Sequence, residues 1–125
     1  MDLKITTEVR QEYLYIECKG TVTSADELIE QSNQVYEEFL KYNPKKILLY
    51  EMEMDFPSGL SAYLHLANHY SDNFVPEIRS VRIAVVLKEK YKDIGDFWEN
   101  VCINRGYQYQ TFNEFDHAEK WLLAE

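Results

Sequence analysis

The stretch from Lys45 to Tyr70, KKILLYEMEMDFPSGLSAYLHLANHY, constrains the fold of this chain more than any other segment. It opens with a continuous apolar run, Ile47 to Tyr50, which is typical of a central strand covered on both faces. An acidic turn and the start of a helix follow. Because open α/β sheets usually place their sites at the carboxyl ends of strands, we expect the functional surface in this segment.

Hydrophobic patterns elsewhere predict four further strands. Leu3–Val9 and Tyr13–Cys18 alternate in polarity, and the short turn between them predicts a hairpin. Val81–Leu87 predicts another buried strand, whereas Tyr107–Phe112 carries glutamines and suits a sheet edge. Since helical patterns separate the later strands, these strands should run parallel to one another.

Helical spacing and capping signals place four helices. Ser24 and Glu27 form a capping box before the first helix, and Asn43-Pro44 ends it. Gly106 suits the left-handed position after the third helix, and Asn113 is a candidate cap for the last one. The predicted order is ββαβαβαβα, a single α/β domain over residues 1–125. The predicted core is Leu14, Ile16, Leu28, Val35, Phe39, Leu48, Leu64, Ala67, Ile83, Val85, Phe97, Val101, Ala118 and Trp121.

Charge and composition narrow the classes of partner. The 125 residues carry a formal net charge of −9, which opposes binding to nucleic acid and to anionic membrane surfaces. No apolar run approaches the ~18 residues of a membrane span, and the N-terminal sequence does not resemble a signal peptide. Cys18 and Cys102 lie in apolar patterns without a partner motif, so we expect buried thiols in a reducing, cytoplasmic environment.

The candidate site is the segment that follows the central strand. Ser58 is the candidate phospho-switch or helix cap in this segment. The predicted interaction or pocket surface around it consists of Glu51, Glu53, Asp55, Phe56, Pro57, Gly59 and Tyr63.

The turn from Asp55 to Leu60 resembles that of the STAS domains, the anti-sigma-factor antagonist family, in which a serine in an Asp-Ser-Ser-Gly-Leu type turn is phosphorylated at a helix N-terminus. Here Pro57 precedes the serine and the turn has one additional residue. Three other segments are similar to a divergent SpoIIAA-like, or STAS/Sec14-like, bacterial branch: Gly20-Thr21-Val22-Thr23, Arg82–Val86 and Ala118–Leu122. The resemblance spans nearly the whole chain. It implies a STAS-like domain with a mostly parallel sheet and an antiparallel N-terminal hairpin strand.

Two functional hypotheses follow from the residues and the resemblance. The first is a non-enzymatic, regulatory protein-interaction module, switched by phosphorylation at Ser58, with the alternative that Ser58 only caps the helix. The second is a carrier of a small apolar ligand or lipid, which the Sec14-like side of the resemblance implies, with Met52, Met54 and Phe56 beside a possible pocket. The acidic residues alone do not indicate an enzyme, because no motif places a His, Lys or Cys beside them. We expect no cofactor.

Two weaker features complete the sequence-based predictions. His65 and His69, with Asp72 three residues further, have a spacing that can chelate a metal, but we expect surface side chains and no metal. Tyr13 and Tyr15 share one face of the predicted hairpin with Glu17, and we expect that face to be solvated. An unprotected edge strand with these aromatics makes a homodimer plausible, through that face or through the acidic turn.

Overall fold

The computed structural model describes residues 2–124 and contains five strands and four α-helices within that range. The strands are β1 (Asp2–Val9), β2 (Leu14–Thr21), β3 (Lys46–Asp55), β4 (Arg82–Val86) and β5 (Gln108–Phe112). The helices are α1 (Ala25–Tyr42), α2 (Ser61–Asn73), α3 (Lys92–Asn104) and α4 (Phe115–Leu123). Two short 3-10 helices, Pro76–Ser80 and Glu89–Tyr91, precede β4 and α3. The predicted order of elements is confirmed.

The strands form one sheet in the order β1-β2-β3-β4-β5. β1 and β2 pair antiparallel, and all later pairs are parallel. The apolar run of β3 lies in the centre of the sheet, where both faces are covered, and the glutamine-bearing β5 lies at an edge, as the sequence predicts. β1 forms the opposite edge. A homodimer through that edge or through the loop after β3 stays a prediction.

The two faces of the sheet are covered unequally. The larger core cluster joins one face to α1, α2 and α3, whereas α4 covers the other face. Tyr13, just before β2, lies under α4 with only 7% of its surface exposed, and its hydroxyl donates a hydrogen bond of 2.5 Å to Glu119. The prediction that the face of Tyr13 and Tyr15 is solvated is therefore wrong. The last helix follows an edge strand and returns across this face to bury it.

Most of the predicted core is buried or packs against the core clusters. Leu64 is the exception, with 44% of its surface exposed, while Leu66 is 6% exposed. The predicted core places Leu64 on the inner stripe of α2, whereas the helix buries Ala62 and Leu66. The stripe is shifted because α2 contains apolar side chains on more than one face, so that periodicity alone does not fix its rotation.

The predicted cap at Ser24 and the predicted position of Gly106 are confirmed, whereas the predicted cap at Asn113 is wrong. The Ser24 hydroxyl accepts a hydrogen bond of 3.2 Å from the amide of Glu27, which confirms the predicted cap of α1. Gly106 has a φ of +88°, which confirms its place after α3. Asn113 does not cap α4: its side-chain amide donates instead to the carbonyl of Leu87, 3.1 Å away. The N-cap position of α4 is occupied by Glu114, one residue after Asn113.

Cys18 and Cys102 are buried free thiols, as predicted. Burial raises the pKa of both thiols far above the ordinary value, so neither is activated as a nucleophile. Among residues 2–124, no helix combines the length and apolar character needed to cross a bilayer.

Candidate functional site

The acidic residues after the central apolar run belong to β3 and do not form a turn. The strand continues to Asp55, which pairs with Thr21 of β2. The extension follows from the partner strand, because β2 is long enough to supply hydrogen-bonding partners to the end of β3. The loop from 56 to 60 then leads into α2.

Glu51 and Glu53 lie on opposite faces of the sheet. Between the pairs Glu17–Tyr50 and Lys19–Glu53, β2 advances by two residues and β3 by three. Because side chains alternate with a period of two, this register shift reverses the direction of the later β3 side chains. Regular alternation along a strand would place the two glutamates on the same side, and this shift separates them. Glu53 points to solvent and forms a 3.1 Å ion pair with Lys19.

Glu51 is directed toward α1, α2 and α3 and is 7% exposed. One carboxylate oxygen, Oε2, accepts a hydrogen bond of 2.5 Å from Nε2 of Gln31 in α1. Burial raises the pKa of this carboxyl to about 7, although the hydrogen bond from Gln31 opposes that shift. A carboxyl with this pKa changes charge near neutral pH.

Gln31 was not among the sequence-based site residues. It is buried, at 5% exposure, between Leu28 and Val35 on the inward side of α1. The sequence does indicate its position. Gln31 is three residues after Leu28 and four before Val35, and this spacing places its polar side chain on the apolar stripe of α1. Buried polar side chains need partners, and such a position indicates a polar group on the facing strand.

A cavity of about 70 Å³ lies beside Glu51, between the sheet and α1, α2 and α3. Its walls are mainly apolar and aromatic, and include Phe56, Tyr63 and Tyr91 from the predicted segment and its surroundings. The Tyr63 hydroxyl donates a 2.7 Å hydrogen bond to the Pro57 carbonyl, and the Tyr91 hydroxyl accepts one of 3.0 Å from the Phe56 amide. The cavity walls therefore hold the loop that leads to Ser58.

Asp55 ends β3 beside two cations. Its Oδ1 lies 3.0 Å from Lys88 Nζ and 3.5 Å from Lys90 Nζ, and the Tyr91 hydroxyl donates to the same oxygen over 3.3 Å. The hydrogen bond from Lys88, together with its charge, lowers the pKa of Asp55. Asp55 is thus held as a paired carboxylate that fixes the start of the loop to the segment after β4.

Ser58 is exposed and does not cap α2. The helix begins at Ser61, its N-cap position is Leu60, and no side chain caps that end. The sequence-based cap is wrong because residues 56 to 59 belong to the loop, so that Ser58 lies three residues before the first helical residue, Ser61. Gly59 has open space around its Cα.

A shallow polar groove passes between Ser58 and the start of α1. Five hydroxyl side chains line it: Thr21, Thr23, Ser24, Ser58 and Ser61. Beside the groove, Leu60 and Leu64 are 46% and 44% exposed. They are four residues apart, so they project from the same side of the first turns of α2. We name Ser58, Leu60, Ser61 and Leu64 together the Ser58 surface.

The candidate metal ligands are not gathered into a site. His65 and Asp72 are exposed on α2, while His69 Nε2 lies 2.7 Å from Asn33 Oδ1 and its Nδ1 lies 3.0 Å from Asn73. Over residues 2–124 no group of three His, Cys, Asp or Glu side chains is arranged to hold a metal ion. His69 joins α1 to α2 through hydrogen bonds.

Two solved structures resemble this chain over nearly its full length. One is an anti-sigma factor antagonist from Mycobacterium paratuberculosis, with a TM-score of 0.63, 11% identity, and coverage of 98% of this chain and 95% of that one. The other is an uncharacterized DUF3478-family protein with a SpoIIAA-like fold from Shewanella loihica PV-4, with a TM-score of 0.58, 19% identity, and coverage of 97% and 93%.

At the level of sequence, no protein-family model matches the chain, and no curated protein matches it significantly. Identities of 11% and 19% support a shared fold and carry no residue-level role. The five-stranded sheet, its single antiparallel hairpin and its coverage by the four helices nevertheless agree with both structures and with the sequence-based resemblance. This protein has the SpoIIAA-like, or STAS, fold.

Proposed function

We propose that this protein is a non-enzymatic regulatory module that binds a protein partner through the Ser58 surface. The single observation that carries the proposal is the exposure of Leu60 and Leu64 beside Ser58, at the end of the central strand. Exposed apolar side chains bordered by polar groups are common at protein-binding surfaces. One of the solved structures that resemble this chain is an anti-sigma factor antagonist, which supports the choice of class.

Phosphorylation of Ser58 is the proposed switch. Its exposed hydroxyl is accessible to a kinase, and a phosphate there would lie near the unfilled N-terminal end of α2. The nearest preceding carboxylate, Asp55, is paired with Lys88 and Lys90, which reduces its repulsion of a phosphate. A dianion beside Leu60 would also oppose burial of that leucine, so phosphorylation should release the partner.

A pull-down from lysate of the native cell, followed by mass spectrometry, tests the proposal. Leu60→Ser and Leu64→Ser should each lose the protein that the wild-type chain retains, because they remove apolar area from the centre of the interface. Ile103→Ser is the matched control, since Ile103 is also exposed, at 52%, but lies on α3. Equal recovery of the partner by all three variants would reject the Ser58 surface as the docking site.

The switch needs a separate measurement. Intact mass of the chain purified from its native cell should include a species with one added phosphate, which Ser58→Ala removes. Ser58→Asp should reduce partner recovery while Ser58→Ala keeps it. An unmodified mass under all growth conditions, with partner recovery unchanged in Ser58→Asp, would leave a docking module without this switch.

The alternative of a lipid carrier has less support. The cavity beside Glu51 measures about 70 Å³, roughly half the ~150 Å³ of an engineered cavity that accommodates benzene. An acyl chain is far longer than benzene. A carrier function would therefore require the helices to separate from the sheet.

A further inference from the structure

We propose that the cavity beside Glu51 is a binding site for a small organic cation, a short alkylammonium ion of about two to four heavy atoms, whose charged group pairs with the Glu51 carboxylate. This inference does not depend on the Ser58 surface. It follows from the hydrogen-bonding capacity, the charge and the size of the cavity.

The cavity offers an acceptor that the protein leaves unused. Glu51 Oε2 accepts from Gln31, but across residues 2–124 no group donates to Glu51 Oε1, and this oxygen is not fully enclosed by protein atoms. A buried carboxylate with a free oxygen is costly unless it is protonated or meets a donor or cation. No Lys, Arg or His lines the cavity to supply one.

Most hydroxyl groups around the cavity, those of four tyrosines and of Thr111, already form hydrogen bonds within the protein. Tyr63 donates to the Pro57 carbonyl, and Tyr91 bonds both Phe56 and Asp55. The Tyr70 and Tyr109 hydroxyls lie 3.1 Å apart and pair with each other. These tyrosines therefore present mainly ring carbon surface to the cavity. Beside the Ser32 hydroxyl, the Glu51 carboxylate is the charged group that remains for a ligand, and a ligand that pairs with it must be a donor.

Six aromatic side chains share the cavity wall with Glu51: Phe56, Tyr63, Tyr70, Tyr91, Trp98 and Tyr109. Aromatic rings attract ammonium groups through the negative potential of their faces, and this attraction is larger where water is excluded. Apolar side chains such as Leu28 and Leu66 complete the lining and suit an alkyl group. A carboxylate, aromatic rings and an apolar remainder together match an alkylammonium ion.

Cavity size limits the ligand. Its volume of about 70 Å³ is smaller than the ~150 Å³ that accommodates benzene, and larger than the ~30 Å³ that one water molecule occupies in the liquid. Two to four heavy atoms fit this range. Ethylammonium is therefore the probe of choice, and ethanol is its neutral counterpart of the same length.

The experiment is a titration of the isotope-labelled full chain at pH 8, followed by amide chemical shifts in two-dimensional NMR at constant ionic strength. Ethylammonium should give saturable shifts at β3 and α1 around Glu51 and Gln31. Ethanol should bind at least tenfold more weakly. Shifts that rise linearly without saturation, or saturable binding of ethanol as tight as that of ethylammonium, would overturn the proposal.

Variants locate the binding. Glu51→Gln keeps the size of the side chain and removes its charge, so it should weaken ethylammonium binding at least tenfold, whereas Glu53→Gln, on the solvated face, should bind as wild type does. Val35→Leu narrows the cavity, keeps Glu51 and should also weaken binding, which provides a second measurement if Glu51→Gln does not fold. Wild-type affinity in either folded cavity variant would refute the site.

Discussion

Gln31 of α1 and Glu51 of β3 form a buried hydrogen bond of 2.5 Å between a helix and the central strand. It is the polar centre of an otherwise apolar and aromatic layer. The bond fixes α1 against the sheet at one point, and it leaves the carboxyl group sensitive to pH because burial opposes its charged form.

The pH dependence of stability should change in Glu51→Gln. The pKa of Glu51 is raised to about 7 in the folded chain, so the folded state holds this proton more tightly than the unfolded state does. Its contribution to the free energy of unfolding is present below about pH 4.5 and is lost as the pH rises through about 7. As the pH rises, the free energy of unfolding of the wild-type chain should therefore fall relative to that of Glu51→Gln, by up to about 1.4 kcal/mol per pH unit.

Urea unfolding at several pH values between 5 and 8 measures this difference, and groups common to both chains cancel from it. Glu53→Gln is the control. Because Glu53 is exposed, this variant should show the same pH dependence of stability as the wild-type chain. A difference between wild type and Glu51→Gln that stays constant across the range would show that the buried carboxyl does not titrate there.

Ser58→Ala and Ser24→Ala should differ in their effect on stability. Ser24 caps α1 through a hydrogen bond to the Glu27 amide, and its loss should lower the free energy of unfolding by about 1 kcal/mol. Ser58 is exposed and caps no helix, so its replacement should change that free energy by less than about 0.5 kcal/mol. Chemical denaturation measures both changes. Equal losses of stability in the two variants would show that Ser58 has a structural role.

Gly20 and Gly59 form a matched pair for alanine substitution. Gly20 has a φ of +138°, and a Cβ atom there would lie 1.5 Å from the carbonyl oxygen of Asp2 on the neighbouring strand. Gly20→Ala should therefore destabilise the chain by more than about 2 kcal/mol, through strain in the β1–β2 hairpin. Gly59→Ala meets nothing within 4 Å and should be neutral or slightly stabilising. Thermal unfolding of both variants checks the pair; a loss at Gly59 as large as that at Gly20 would contradict it.

Tyr13→Phe should lower the free energy of unfolding by about 1 kcal/mol. The Tyr13 hydroxyl donates to Glu119 of α4 and accepts from Arg10 over 3.0 Å, so its removal takes one hydrogen bond from Glu119 and leaves Arg10 with its ion pair to Glu8. Tyr42→Phe is the control, because Tyr42 is 40% exposed and makes no hydrogen bond through its hydroxyl among the described residues. Urea denaturation gives both values. Equal stability of Tyr13→Phe and wild type would show that the hydroxyl does not hold α4 in place.

The sequence by itself determined the elements and their order. The apolar run at Ile47–Tyr50 can be buried on both faces only in the centre of a sheet, and helix-length connections between the later strands force parallel pairing. The capping box at Ser24 and the left-handed glycine at Gly106 act through neighbouring residues, so local chemistry specified them.

Only the tertiary structure decided which side chains face the core and which face solvent. The rotation of α2, which exposes Leu64 and buries Leu66, depends on the shape of the sheet surface and the neighbouring helices. The register shift that separates Glu51 from Glu53 depends on hydrogen bonds to a different strand, and the burial of Tyr13 depends on a helix more than a hundred residues later. Ser58 does not form its predicted cap. The path of residues 56–59 is held by hydrogen bonds to Tyr63 and Tyr91, two residues outside the loop. These outcomes arise from contacts between distant segments, and local sequence patterns carry no information about such contacts.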